Sequence, residues 1–97
     1  MIRNRDDVEE VCAKQGIPDH MWGAVERYLF DKIPPGSFLT ALLSNDFMEA
    51  VSRADHLNIE ALRNWAMMFY NDFPRDAYGS PEAVKKWLKV VKDGDEQ

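Results

Sequence analysis

Cysteine is nearly missing from this chain of 97 residues: Cys12 stands alone, so no intramolecular disulfide can staple the fold. Lying between Val11 and Ala13 in a helical pattern, with no cationic cluster nearby to activate it, the thiol reads as a buried structural group. A reducing interior is then the simpler compartment. No uninterrupted apolar run reaches the ~20 residues of a membrane span, and the opening MIRNRDD has no apolar signal region. A soluble, cytoplasmic protein without a membrane partner is therefore expected. Positive charge is scarce as well, and the net charge of -5 argues against broad binding to nucleic-acid backbones, which depends on cations that release counterions. Local basic pockets remain open. Alternating strand patterns, internal repeats and low-complexity linkers are also absent, which leaves helices.

What is present suits a globular domain: 45% apolar residues, 11% aromatic residues and well-mixed charge. A chain of this length builds one core and buries only about two thirds of its unfolded surface, so self-association is a reasonable expectation. The predicted fold is an all-α, compact single-domain bundle of roughly five or six helices over residues 1–92, followed by a flexible acidic tail over 93–97. Asn4 or Asp6 can cap a first helix that Gly16 ends. Pro18 and Asp19 start a second, with Met21, Trp22, Val25, Tyr28 and Leu29 on one apolar face and Pro34 and Pro35 as its stop. Ser37 can cap FLTALLS, whose buried face is Phe38, Leu39, Leu42 and Leu43. Ser44, Asn45 and Asp46 then interrupt the apolar pattern before Phe47, Met48, Val51 and Ala54 resume it, either as a new helix or as a continuation. Asp55 or Asn58 can open the longest segment, carrying Leu57, Ala61, Leu62, Trp65, Met68 and Phe69. Ser80, Pro81 and Glu82 form a strong start for the last helix, with Val84, Trp87, Leu88 and Val91 facing the core.

Catalytic and metal motifs are wanting. His20 and His56 belong to no ligand spacing, and neither Cys12 nor the serines sit in a recognisable elbow or triad, so no enzyme activity, metal or cofactor is expected. Asp46, Glu49 and Asp55 can form an acidic cluster, but Arg53 four residues after Glu49 makes an ordinary surface ion pair the better reading. In PPGSF and YGSPE a glycine precedes Ser37 and Ser80 at a helix start, which suits either plain capping or an anion near free N–H groups. Trp65, Phe69, Tyr70, Phe73 and Tyr78 surround the last helix junction. Beside Arg63 or Arg75 they can make a slot that stacks a ring, with Tyr70 and Tyr78 as the exposed members.

The stretches IPPGSFLTALLSNDFMEAVSRAD, with Asn58 after it, and YNDFPRDAYGSPEAVKKW resemble a family of small, mostly uncharacterised proteins of tailed bacteriophages and prophages, over about residues 17–88. Ser37 replaces the second glycine of the family's turn, and Tyr78 stands where the family often has tryptophan. The resemblance implies a phage accessory protein acting in the bacterial host cytoplasm. By analogy of class, it implies an anti-defence homo-oligomer that binds a nucleotide-derived immune signal, such as a cyclic nucleotide or an ADP-ribose-type molecule, without turnover. In that reading Arg53 holds phosphate, Asn45 and Asp46 bond ribose or base edges with Asn58 nearby, Tyr70 or Tyr78 stacks, and Ser37 and Ser80 offer helix starts. The alternative is a protein-protein interaction module that inhibits or adapts a host or phage protein through exposed members of Trp22, Tyr28, Phe47, Met67 and Met68. Met67 and Met68 favour it, because adjacent positions cannot both face one narrow core stripe.

Overall fold

In a computed structural model, the backbone of residues 1–95 and the side chains of residues 1–89 are described. Val91 and the acidic tail expected from residue 93 fall outside the residues described in side-chain detail. Helix α1 (Arg5–Gln15) begins with a capping box: the Asn4 side chain accepts from the Asp7 N–H, while the Asp7 carboxylate accepts from the Arg3 and Asn4 N–H groups at 2.8 and 3.2 Å. It ends at Gly16, whose left-handed φ of 75° lets the N–H groups of Gly16 and Ile17 close on Ala13 and Cys12. The buried face of α1, Val8, Val11 and Cys12, packs on the sixth helix.

Helix α2 (Trp22–Glu26) follows a short 3-10 turn and passes into a widened π turn, Arg27–Asp31. The Tyr28 carbonyl there accepts from the Trp87 indole at 3.0 Å, and the buried Tyr28 hydroxyl donates to the Ala77 carbonyl at 2.7 Å. A side chain that captures a helix carbonyl in this way loosens the regular ladder. The stop expected from Pro34 and Pro35 comes earlier, at Lys32, which adopts a left-handed φ of 55° and sets its ammonium over the Trp87 ring.

Helices α3 (Ser37–Leu43) and α4 (Phe47–Arg53) pack on each other across a tight turn. Asn45 takes φ 64°, the Asp46 N–H donates back to the Ala41 carbonyl, and the Asp46 carboxylate caps α4. The polar interruption of the apolar run is thus two separate helices and their connection. Ser37 does not cap α3 as expected; Gly36 holds the cap position without a side-chain bond, while Thr40 donates to the Pro35 carbonyl.

Helix α5 (His56–Glu60), capped by Asp55, is set off from α6 (Leu62–Asp72) by Ala61, whose φ of -99° and ψ of 10° interrupt the long segment read from sequence. That division brings the helices to seven, with no strand among the described residues. Trp65, fully buried, donates its indole N–H to the Asn58 side chain at 3.1 Å and meets Phe38 edge-on at 5.9 Å. Leu39, Leu43, Met68, Val25 and Tyr28 belong with it to one buried core, to which α1, α2, α3, α4 and α6 all contribute apolar side chains. Helix α7 (Pro81–Asp95) starts where the Ser80 hydroxyl accepts from the Ala83 N–H, and the preceding Gly79 N–H donates to the Leu43 carbonyl at 2.8 Å. That last bond ties the start of α7 to the end of α3. No helix of the described residues is long and apolar enough to cross a membrane.

Candidate functional site

The α3–α4 turn, the outer face of α6 and the Tyr78-Gly79 turn enclose a cleft of about 630 Å³. Helical geometry decides which side chains reach it. On α6, Trp65, Met68, Phe69 and Asp72 turn inward and are buried, so Leu62, Arg63, Ala66, Met67 and Tyr70 turn outward and form one wall. Asn45, Asp46 and Phe47 form the opposite wall, Leu42 and Phe69 contribute from the core side, and Tyr78 with Gly79 closes one end. The left-handed Asn45 and the Gly79–Leu43 bond hold these walls in register.

The lining is chiefly apolar, with a few polar groups. Among the described residues Arg63 is the one cation and Asp46 the one carboxylate on it, and Arg63 enters no ion pair with any of them. Exposed apolar surface continues out of the cleft: Phe47 is 64% exposed and Tyr70 78%. Beside Phe47 on α4, Met48 is 76% exposed, and Val51 one turn on extends the same stripe. Only Ala50 of α4 is buried. Phe47, Met48 and Val51 therefore face outward, while Ala50 makes the inward contact and Ala54, just past the helix, packs partly buried against the core.

Of the residues expected to bind a ligand, Asn45, Asp46, Tyr70 and Tyr78 converge on the cleft, and Arg63, one of the two arginines expected beside the aromatic slot, joins them. The other four do not. Arg53 lies outside the lining and donates from Nε to Glu49 at 2.9 Å, an exposed i, i+4 pair. Asn58 is 2% exposed, and its side-chain oxygen serves the Trp65 indole, so it is a core polar group. Ser37 is exposed away from the cleft, and Ser80 caps α7 beside it without lining it. Arg75 is likewise absent from the lining. Among the anchors of the interaction reading, Phe47 and Met67 line the cleft, whereas Tyr28 and Met68 are buried and Trp22 is half-buried, its indole donating to the Ile17 carbonyl. The Met67-Met68 adjacency was the useful signal, since one member turns in and the other out.

Asp46, Glu49 and Asp55 have separate tasks, and Glu49 makes the expected ion pair with Arg53. Asp46 caps α4; Asp55 caps α5, where the Asn58 N–H, and then His20 at 3.0 Å, hold its carboxyl below the usual range. No group of three His, Cys, Asp or Glu side chains gathers for a metal among the described residues. Burial pushes the Cys12 thiol up to about 12, with Asp72 adding to the shift. A shallower hollow of about 300 Å³ lies between the end of α1 and α5, edged by Asp19, Leu57 and Glu60. Comparison with protein-family models, curated proteins and solved structures yields no match.

Proposed function

We propose that this chain is a non-enzymatic interaction module whose working surface is the α4–α6 cleft, which receives large apolar side chains of a protein partner. One observation carries the reading: Phe47, Met48, Met67 and Tyr70 stand exposed around a cleft that is itself mostly apolar. Exposed apolar side chains gathered at a concave, mostly apolar site suit the reception of a partner, and methionine and tyrosine adapt well to one. Membership of the phage family is part of the same proposal. It would make the partner a host or phage protein that the contact inhibits or adapts. The test is a photo-cross-linking residue placed at position 67, with position 85 as control. Adducts to a defined protein from position 67, lost in Phe47→Asp, are expected; equal capture from both positions would overturn the reading.

A second reading, sequestration of a nucleotide-derived signal without turnover, is favoured by the meeting of Tyr70, Tyr78, Arg63, Asn45 and Asp46 on one cleft of small-molecule size. A single arginine facing an aspartate across the cleft suits a ring with one phosphate better than a polyanion. Thermal-shift screening against cyclic dinucleotides, cyclic trinucleotides and ADP-ribose derivatives tests it: a ligand at about 100 times its Kd adds ~2.7 kcal/mol, several degrees for a domain this small. No shift from any of them removes this reading.

A further inference from the structure

We propose that the partner seated on this face in the free protein is a second copy of the chain, paired about a twofold axis that runs along the cleft. The inference rests on reading the cleft as a docking surface. A twofold contact requires one patch to complement itself, so a protrusion and the hollow that receives it must lie on the same face, as must charges of opposite sign. Both conditions hold here. Phe47 and Met48 project from α4 beside the cleft, and the cleft opens between α4 and α6. An axis along the cleft lays α4 of each copy on α6 of the other, so the Phe47-Met48 pair of one copy meets Met67 and Tyr70 of its mate. The same operation sets Arg63 of each copy against Asp46 of the other. Within one chain these two groups sit on opposite walls and do not pair. Each copy thereby gains a counter-ion for its unpaired arginine and covers the most exposed apolar side chains of the described helices. The net charge of -5 per chain opposes association at long range, which makes the local Arg63–Asp46 match and the apolar contact the attractive terms.

Sedimentation velocity over a concentration series reads the mass directly. The expected result is a mass of two chains that falls to one chain in Met48→Asp and in Tyr70→Asp, and stays at two in Leu57→Asp, which alters an exposed leucine at the other hollow. All three positions are exposed, and circular dichroism of each variant verifies that it is folded. Arg63→Glu should raise the dissociation constant at least about tenfold, because it turns an attraction against Asp46 into a repulsion. A wild-type chain that stays monomeric throughout, or a dimer indifferent to both Met48→Asp and Tyr70→Asp, overturns the inference. Either result leaves the docking surface itself to be judged by the cross-linking from position 67: adducts to another protein would give the face a different occupant, and the absence of any adduct would remove the docking reading too.

Discussion

Asn58 shows how one side chain separates a site role from a structural one. Its oxygen is the partner of the Trp65 indole inside the core, and among the described residues no buried side-chain nitrogen or oxygen lacks a partner. Replacing it with alanine leaves that indole N–H unpaired, a cost of ~1–3 kcal/mol. Urea unfolding of Asn58→Ala should register that loss, whereas a ligand-contacting residue replaced by alanine would leave stability unchanged and abolish a ligand-induced thermal shift. Arg53→Ala should change stability by only a few tenths of a kcal/mol, since its pair with Glu49 is exposed. Acid offers a second test at this scale. The Arg3 and Asn4 N–H groups lower the Asp7 carboxyl, the Arg5 guanidinium lowers Asp31, and the Asn58 N–H lowers Asp55. A carboxyl whose folded pKa lies below its unfolded value stabilises the fold fully above the ordinary carboxylate range near ~4, and that contribution disappears as pH falls through the folded value. Thermal midpoints should therefore decline on acidification. Asp55→Asn keeps a capping oxygen but carries no charge, so the gap between wild type and this variant should narrow with falling pH.

At the scale of helices, the α3–α4 connection owes its shape to backbone as much as to side chains. Asn45 occupies the left-handed region at φ 64°, which asparagine and glycine tolerate and β-branched residues do not. Asn45→Val should cost ~1–2 kcal/mol and Asn45→Gly close to nothing, measured by thermal unfolding. Equal stability of the two variants would mean that the turn does not depend on this conformation. The same turn marks the border of what the sequence makes legible. Asn4 and Gly16 around α1 and Ser80 with Pro81 at α7 could be read because each cap is a local bargain between neighbours in the chain. The π turn at Tyr28 could not, because the partners that Tyr28 meets there, Ala77 and Trp87, lie far along the sequence. Nor could the interruption at Ala61, where Asn58 and Trp65 bridge α5 and α6 through the core. The cleft divides the same way. Asn45, Asp46, Tyr70 and Tyr78 were readable as polar or amphipathic groups at junctions, but the approach of the α3–α4 turn to the outer face of α6, which leaves Arg53 outside the cleft and Arg63 on it, depends on packing that no periodicity encodes.

The whole molecule is small enough for surface contacts to matter to its stability. About two thirds of the unfolded surface is buried in a chain of this length, and a further contact on α6 adds to a margin of only ~5–10 kcal/mol. Cys12 provides an internal reporter of that margin. It is fully buried beneath α6, with its sulfur 3.8 Å from that of Met68, and burial holds the thiol protonated at neutral pH. A thiol reagent can reach it only through an opening that separates α1 from α6, so slow labelling of the native protein, accelerated by urea, is expected. Rapid labelling without denaturant would mean that α1 does not seal the core. Pairing of two copies through the outer face of α6 makes the folded state the one that associates, and mass action then lowers the population of opened chains as concentration rises. Labelling of wild type should accordingly slow with increasing protein concentration at fixed reagent, and its Tm should rise. Met48→Asp, which leaves the surroundings of Cys12 untouched but spoils the paired face, should label at a rate independent of concentration. Concentration dependence in both proteins would place the association on some other surface, and dependence in neither would show that the chain folds and works as a monomer.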